Sequence, residues 1–124
     1  MAIIVDIDDT LLRNGTQPIQ RVIDYVNALP GMKIIVTGRN KSKRAETVHA
    51  LHAAGVKYSR LIMNPGDYKD SHKFKEQVGA DLAPHVSLAI ENNPDARAAY
   101  AKSGIKTLDP ADIKESDKFW NLFN

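Results

Sequence analysis

The sequence predicts a three-layer α/β fold, a parallel sheet with helices on both faces. Three observations predict it. Short apolar, β-branched runs recur along the chain and read as strands buried on both faces. Segments with helically spaced apolar residues separate them. Gly- and Pro-containing turns mark the joins. Alternation of this kind builds parallel sheets covered by helices. At 124 residues the chain suits one hydrophobic core, so a single domain over residues 1–124 is expected.

The elements follow in order. Ala2 to Val5 is the first apolar run, and polar residues begin at Asp6. Asn14-Gly15 forms a turn. Pro18 suits the first turn of a helix to about Leu29, with Ile19, Val22, Ile23 and Val26 as its apolar stripe. Pro30-Gly31 ends it, and Lys33 to Val36 is a second buried strand closed by Thr37-Gly38. A helix is expected from about Ser42 to Ala54, with Gly55 as its stop. Arg60 to Met63 reads as a third strand and Asn64-Pro65-Gly66-Asp67 as a loop. Ser71 is expected to cap a helix through about Val78. Val86 to Ile90 is another strand, Pro94 starts a helix to about Lys102, and Ile105 to Leu108 is the last strand. Phe119, Trp120, Leu122 and Phe123 suggest a short docking helix.

Composition narrows the function. Apolar residues make up 43% and charged residues 26%, ordinary for a globular protein. Cysteine is absent, which excludes a disulfide scaffold, a zinc–thiolate site and a cysteine nucleophile. The start MAIIVDIDDT does not read as a signal peptide, and no apolar run approaches the ~20 residues that span a bilayer. A cytoplasmic protein with no membrane partner is expected. Net charge is +2, which alone does not indicate nucleic-acid binding. Four cations nevertheless fall within Arg39-Asn40-Lys41-Ser42-Lys43-Arg44.

Polar residues that follow the apolar runs carry the chemistry, because parallel sheets bind ligands beyond the carboxyl ends of their strands. Asp6-Ile7-Asp8-Asp9-Thr10 crowds three carboxylates after a strand, a costly arrangement unless a cation neutralises them. Hard oxygen donors with few neighbouring histidines suit Mg²⁺. One Asp can attack phosphorus while a second serves as acid and base. An isolated Asp-x-Asp would read as a solvated turn; the DxDxT pattern at a strand end favours the metal site. Thr37-Gly38-Arg39 offers a hydroxyl and backbone N–H groups to a phosphoryl oxygen, and Arg39 can grip a second phosphate with two N–H groups, although an ordinary turn looks the same in isolation. Lys69-Asp70-Ser71-His72-Lys73-Phe74-Lys75 supplies lysines to offset phosphoryl charge, and most of them must simply face solvent. Glu91-Asn92-Asn93-Pro94-Asp95 offers a carboxylate to complete a metal shell, or a helix cap before Pro94.

Taken in order, these segments resemble the haloacid dehalogenase (HAD) superfamily of phosphotransferases, over roughly Ile3 to Leu108. Leu88-Ala89-Ile90-Glu91-Asn92, the helix after it, Ser103-Gly104-Ile105, and Thr37-Gly38-Arg39 are most similar to the 3′-phosphatase domain of polynucleotide kinase–phosphatases. No GxxxxGK[ST] pattern occurs, so the kinase half is not represented. The resemblance implies a Rossmann-like HAD fold and a set of roles. Asp6 is the nucleophile, Asp8 the acid and base, and Thr37 a phosphoryl ligand, with Gly38 and Arg39 binding substrate. Asp6, the Asp8 backbone carbonyl, Glu91 and Asn92 hold Mg²⁺. Lys75 is the implied catalytic lysine, because Phe74-Lys75-Glu76-Gln77-Val78 is similar to that branch's pattern, with Lys73 and Lys69 next in line.

Two residues depart from the pattern. Asn92 stands where a second acid is usual, with Asp95 as a substitute, and Asp9 replaces a common glycine. The gaps from Thr10 to Lys33 and from Arg39 to Lys75 leave no room for a cap domain. An open site suits a large phosphorylated substrate, such as a DNA or RNA 3′ end, or a nucleotide. The alternatives are a small-metabolite or mononucleotide phosphatase and a non-catalytic phosphate- or nucleic-acid-binding module. The sequence carries no signal for oligomeric state.

Overall fold

The computed structural model describes residues 1–115. The proposed docking helix at Phe119, Trp120, Leu122 and Phe123 lies outside the described residues. Five parallel strands form the sheet: β1 (Ala2–Val5), β4 (Lys33–Asn40), β5 (Arg60–Asn64), β6 (Val86–Ile90) and β7 (Thr107–Leu108). Their order is β5-β4-β1-β6-β7. The chain first builds outward from β1 to β4 and β5, then returns to β6 on the other side. The strand order therefore reverses between β1 and β6, the place where open α/β sheets bind ligands. This is a mixed α/β, Rossmann-like arrangement.

Alternation within the strands makes the three layers. Ile3, Val5 and Ile35 face one side, packing with Val22, Ile23 and Val26 of α1 (Gln20–Ala28) and Ala50 and Leu51 of α2 (Arg44–Ala53). Ala2, Ile4, Ile34 and Val36 face the other, packing with Val78 of α3 (Ser71–Leu82) and Tyr100 of α4 (Pro94–Ala101). Successive side chains of a strand point to opposite faces, so a continuous apolar run feeds both cores.

The structure departs from the sequence reading at several joins. Pro18 is not in a helix; it pairs with Leu12 in a small hairpin of β2 (Leu12–Arg13) and β3 (Gln17–Pro18). Asn14 and Gly15 form its turn at φ +52° and +83°, the left-handed values that favour Asn-Gly. β4 continues past Val36 to Asn40, with a register shift against β5 that leaves Gly38 and Arg39 outside the pairing. Asn40, rather than Ser42, opens the next turn, accepting a hydrogen bond from the Ser42 amide at 2.9 Å. Ser71 is the first helical residue, not a cap, and α3 runs four residues past Val78, to Leu82. β7 is shorter than expected, starting at Thr107.

Candidate active site

The site forms where β1 and β6 emerge side by side. Asp6 follows β1, and its amide still pairs with the Ile90 carbonyl at 3.0 Å. Glu91 follows β6, tied by its amide to the Leu108 carbonyl at 3.1 Å. Parallel pairing thus sets two carboxylates at one level. Lys75 reaches both from α3: its Nζ lies 2.8 Å from Asp6 Oδ1 and 2.5 Å from Glu91 Oε1. All three are buried, at 5%, 1% and 5% exposure for Asp6, Glu91 and Lys75. Two buried carboxylates against one ammonium leave the triad short of positive charge. Burial, then repulsion from Asp6, pushes the Glu91 carboxyl up to about 7 despite Lys75. Burial pulls the Lys75 ammonium down, but Asp6 and Glu91 outweigh it and hold its pKa above the usual lysine value.

A tight turn presents the neighbouring groups. The Ile7 carbonyl accepts from the amides of Thr10, Leu11 and Leu12, and Asp9 takes a left-handed φ of +61°. Thr10 is thereby buried, and its hydroxyl donates to Asp6 Oδ2 at 3.0 Å. This positioning role was missed, although the threonine of DxDxT was its signal. Asp8 is gripped by Arg39, whose Nη2 lies 2.8 Å from Oδ1 and whose Nε lies 3.1 Å from Oδ2. The Arg39 guanidinium also donates to the Gly15 carbonyl at 3.1 Å and the Thr47 hydroxyl at 3.3 Å. The hydrogen bond to Asp8 raises the Arg39 pKa further. Arg39 therefore spends its paired donors on Asp8.

A cavity of about 330 Å³ gathers Asp6, Asp8, Lys75, Glu91 and Asn92, with Asp9, Lys69, Tyr68 and Asp95 also on its wall. Lys73 is exposed, and so is Lys69, which leaves Lys75 as the lysine held against both carboxylates. Thr37 and Gly38 do not line the cavity. Thr37 is fully buried and accepts a hydrogen bond from the Arg39 amide at 3.1 Å. Gly38 lets α3 approach the strand: a Cβ there would sit 2.6 Å from the Ser71 Cβ and 3.2 Å from Tyr68 Cε2.

Asp6 Oδ2, the Asp8 carbonyl and Glu91 Oε2 all surround the Asn92 amide. With its nitrogen turned toward them, that amide donates at 2.8, 3.0 and 3.1 Å respectively. An amide nitrogen has two hydrogens for these three acceptors. Turned the other way, Asn92 Oδ1 makes a fourth oxygen and accepts from Thr10 at 3.3 Å. Among the described residues no group of three or more His, Asp or Glu side chains is placed to hold a metal ion. The set is instead two carboxylates, one backbone carbonyl and one amide. It fits Mg²⁺, which takes oxygen ligands and keeps several of its waters. The segment is braced from behind: Arg97 Nη1 donates to the carbonyls of Glu91 and Asn92 at 3.0 and 2.8 Å. Asn93 caps α4, its Oδ1 accepting from the amides of Asp95 and Ala96.

No protein-family model and no curated protein matches the sequence. Among solved structures, the chain is similar to one from the Pnkp1/Rnl/Hen1 RNA repair complex, with TM-score 0.68 and 18% identity. The two chains share a fold. The match covers 87% of this chain and 41% of that one, so this chain spans well under half of its neighbour's length. No helix among the described residues is long and apolar enough to cross a membrane.

Proposed function

We propose that this chain is a Mg²⁺-dependent phosphomonoester hydrolase of the haloacid dehalogenase type, acting through a phospho-aspartate on Asp6, with nucleic-acid 3′-phosphate ends or nucleotides as substrates. One observation carries the reading: carboxylates from two adjacent strands converge on one buried lysine, where the strand order reverses. The likeness to a chain of an RNA repair complex supports the substrate class.

An Asp6 oxygen bonds to phosphorus as the bond from phosphorus to the leaving oxygen breaks, and the Asp8 carboxyl gives that oxygen its proton. Water then bonds to phosphorus while Asp8 takes its proton back. The bond from phosphorus to Asp6 breaks, releasing phosphate and restoring the enzyme. Lys75 offsets negative charge on the phosphorylated Asp6, Thr10 fixes that carboxylate's orientation, and Arg39 holds Asp8. Asp6, the Asp8 carbonyl, Glu91 and Asn92 would hold Mg²⁺, which supplies positive charge between the carboxylates and the phosphoryl group when bound.

The Asp6→Asn variant tests this. It should fold normally and lose Mg²⁺-dependent phosphate release from a 3′-phosphorylated oligonucleotide. Retained turnover would remove the nucleophile. Asn92 favours a second reading, a phosphate- or nucleic-acid-binding module without turnover, because its amide nitrogen can stand among the three acceptors in place of a cation. Calorimetric titration separates them: the hydrolase binds Mg²⁺, and the module binds oligonucleotide with no response to Mg²⁺.

A further inference from the structure

A groove of about 510 Å³ adjoins the active-site cavity, and Tyr68 lines both. Two cations, Arg39 and Lys43, and two carboxylates, Glu46 and Asp67, stand on its wall with Thr16 and Asn40. Tyr68 stands on the turn before α3 and is 59% exposed, a large aromatic surface beside a catalytic cavity. Gly38 permits its position, since the ring edge comes within 3.2 Å of where a Cβ would be. Arg39 joins the two spaces, because it lines the groove while gripping Asp8. In the phosphatase reading Asp8 gives its proton to the leaving oxygen, and Arg39 ties that carboxyl to the wall of the groove. Lys43 on its wall is exposed, as are the neighbouring Lys41 and Arg44, although Arg44 Nη1 also donates to the Leu61 carbonyl at 3.3 Å. Lys43 also pairs loosely with Glu46 at 3.6 Å.

We infer that this groove is the leaving-group subsite and takes the terminal nucleoside of a 3′-phosphorylated strand, its base stacked on Tyr68. The inference rests on the phosphatase reading and adds its substrate-side contact. A flat aromatic face accepts any base, because every base presents a π-face. The cations beyond it suit the phosphates that follow along the strand. A sugar phosphate would fill little of this space and would ignore the ring.

The experiment compares two 3′-phosphorylated trinucleotides, one with an ordinary terminal base and one with a tetrahydrofuran in its place. Wild-type enzyme should show a KM about tenfold higher for the abasic substrate, the effect of one lost stacking contact. Tyr68→Ala should erase that difference and Tyr68→Trp should keep it. Equal KM values in wild type, or a difference that survives Tyr68→Ala, overturns the subsite. Failure of the phosphatase reading would look different, with no phosphate released from either substrate. Binding then decides: a 3′-phosphorylated strand ending in 2-aminopurine should be quenched by the wild-type chain and not by Tyr68→Ala. Equal quenching by both overturns the stacking contact.

Discussion

Asp9 occupies a backbone conformation that normally belongs to glycine, at φ +61°. Left-handed geometry costs a non-glycine residue about 1–2 kcal/mol, least for Asp and Asn. The turn needs it, because the Asp9 amide donates to the Leu12 carbonyl at 2.8 Å and closes the loop that presents Asp8 and Thr10. Asp9→Gly should hold or raise stability by up to ~1 kcal/mol, whereas the β-branched Asp9→Val should lower it by about 1–2 kcal/mol. Urea unfolding of both variants checks the pair. Lys75 acts at the same scale with a larger effect. It is the counter-ion of two buried carboxylates, and breaking a buried pair costs about 3–5 kcal/mol. Lys75→Met should destabilise the fold by that order, seen as a lower denaturant midpoint. The corresponding change at exposed Lys73 should shift the midpoint little.

At the scale of elements, the meeting of β4 and α3 decides where Lys75 lands. Gly38 and Ser71 are in contact there, so Gly38→Ala should push the start of α3 outward. The expected cost is about 1–3 kcal/mol, that of overpacking, and Ser71→Gly should recover part of it in the double variant, as thermal melts would show. The sequence made the five parallel strands legible through their apolar runs, and the helices through their spacing. It hid the β2–β3 hairpin, since two-residue strands hold too few side chains to show a period, and Pro18 read as a helix start. It also hid the extension of β4, because Thr37-Gly38-Arg39 looks like a turn until Asn64 is seen holding the Gly38 carbonyl. The sequence offers Arg39 as a phosphate-binding residue. Only the fold shows that its partner is Asp8, a contact across 31 positions of chain.

Across the whole molecule, the sheet order explains why residues as distant as Asp6 and Glu91 lie together. Reversal at β1 and β6 places both strand ends at one crevice, and the helix that follows β5 brings Lys75 back across it. The short connections after β1 and β4, a hairpin and one helix with a strand, put no further domain over that crevice among the described residues. The most direct measurement of the central claim is a rapid acid quench with ³²P-labelled 3′-phosphoryl substrate and Mg²⁺. The account predicts label on the chain, mapping to the peptide that contains Asp6 and absent in Asp6→Asn. Turnover with no label on the chain at any time, or label that survives Asp6→Asn, would contradict it.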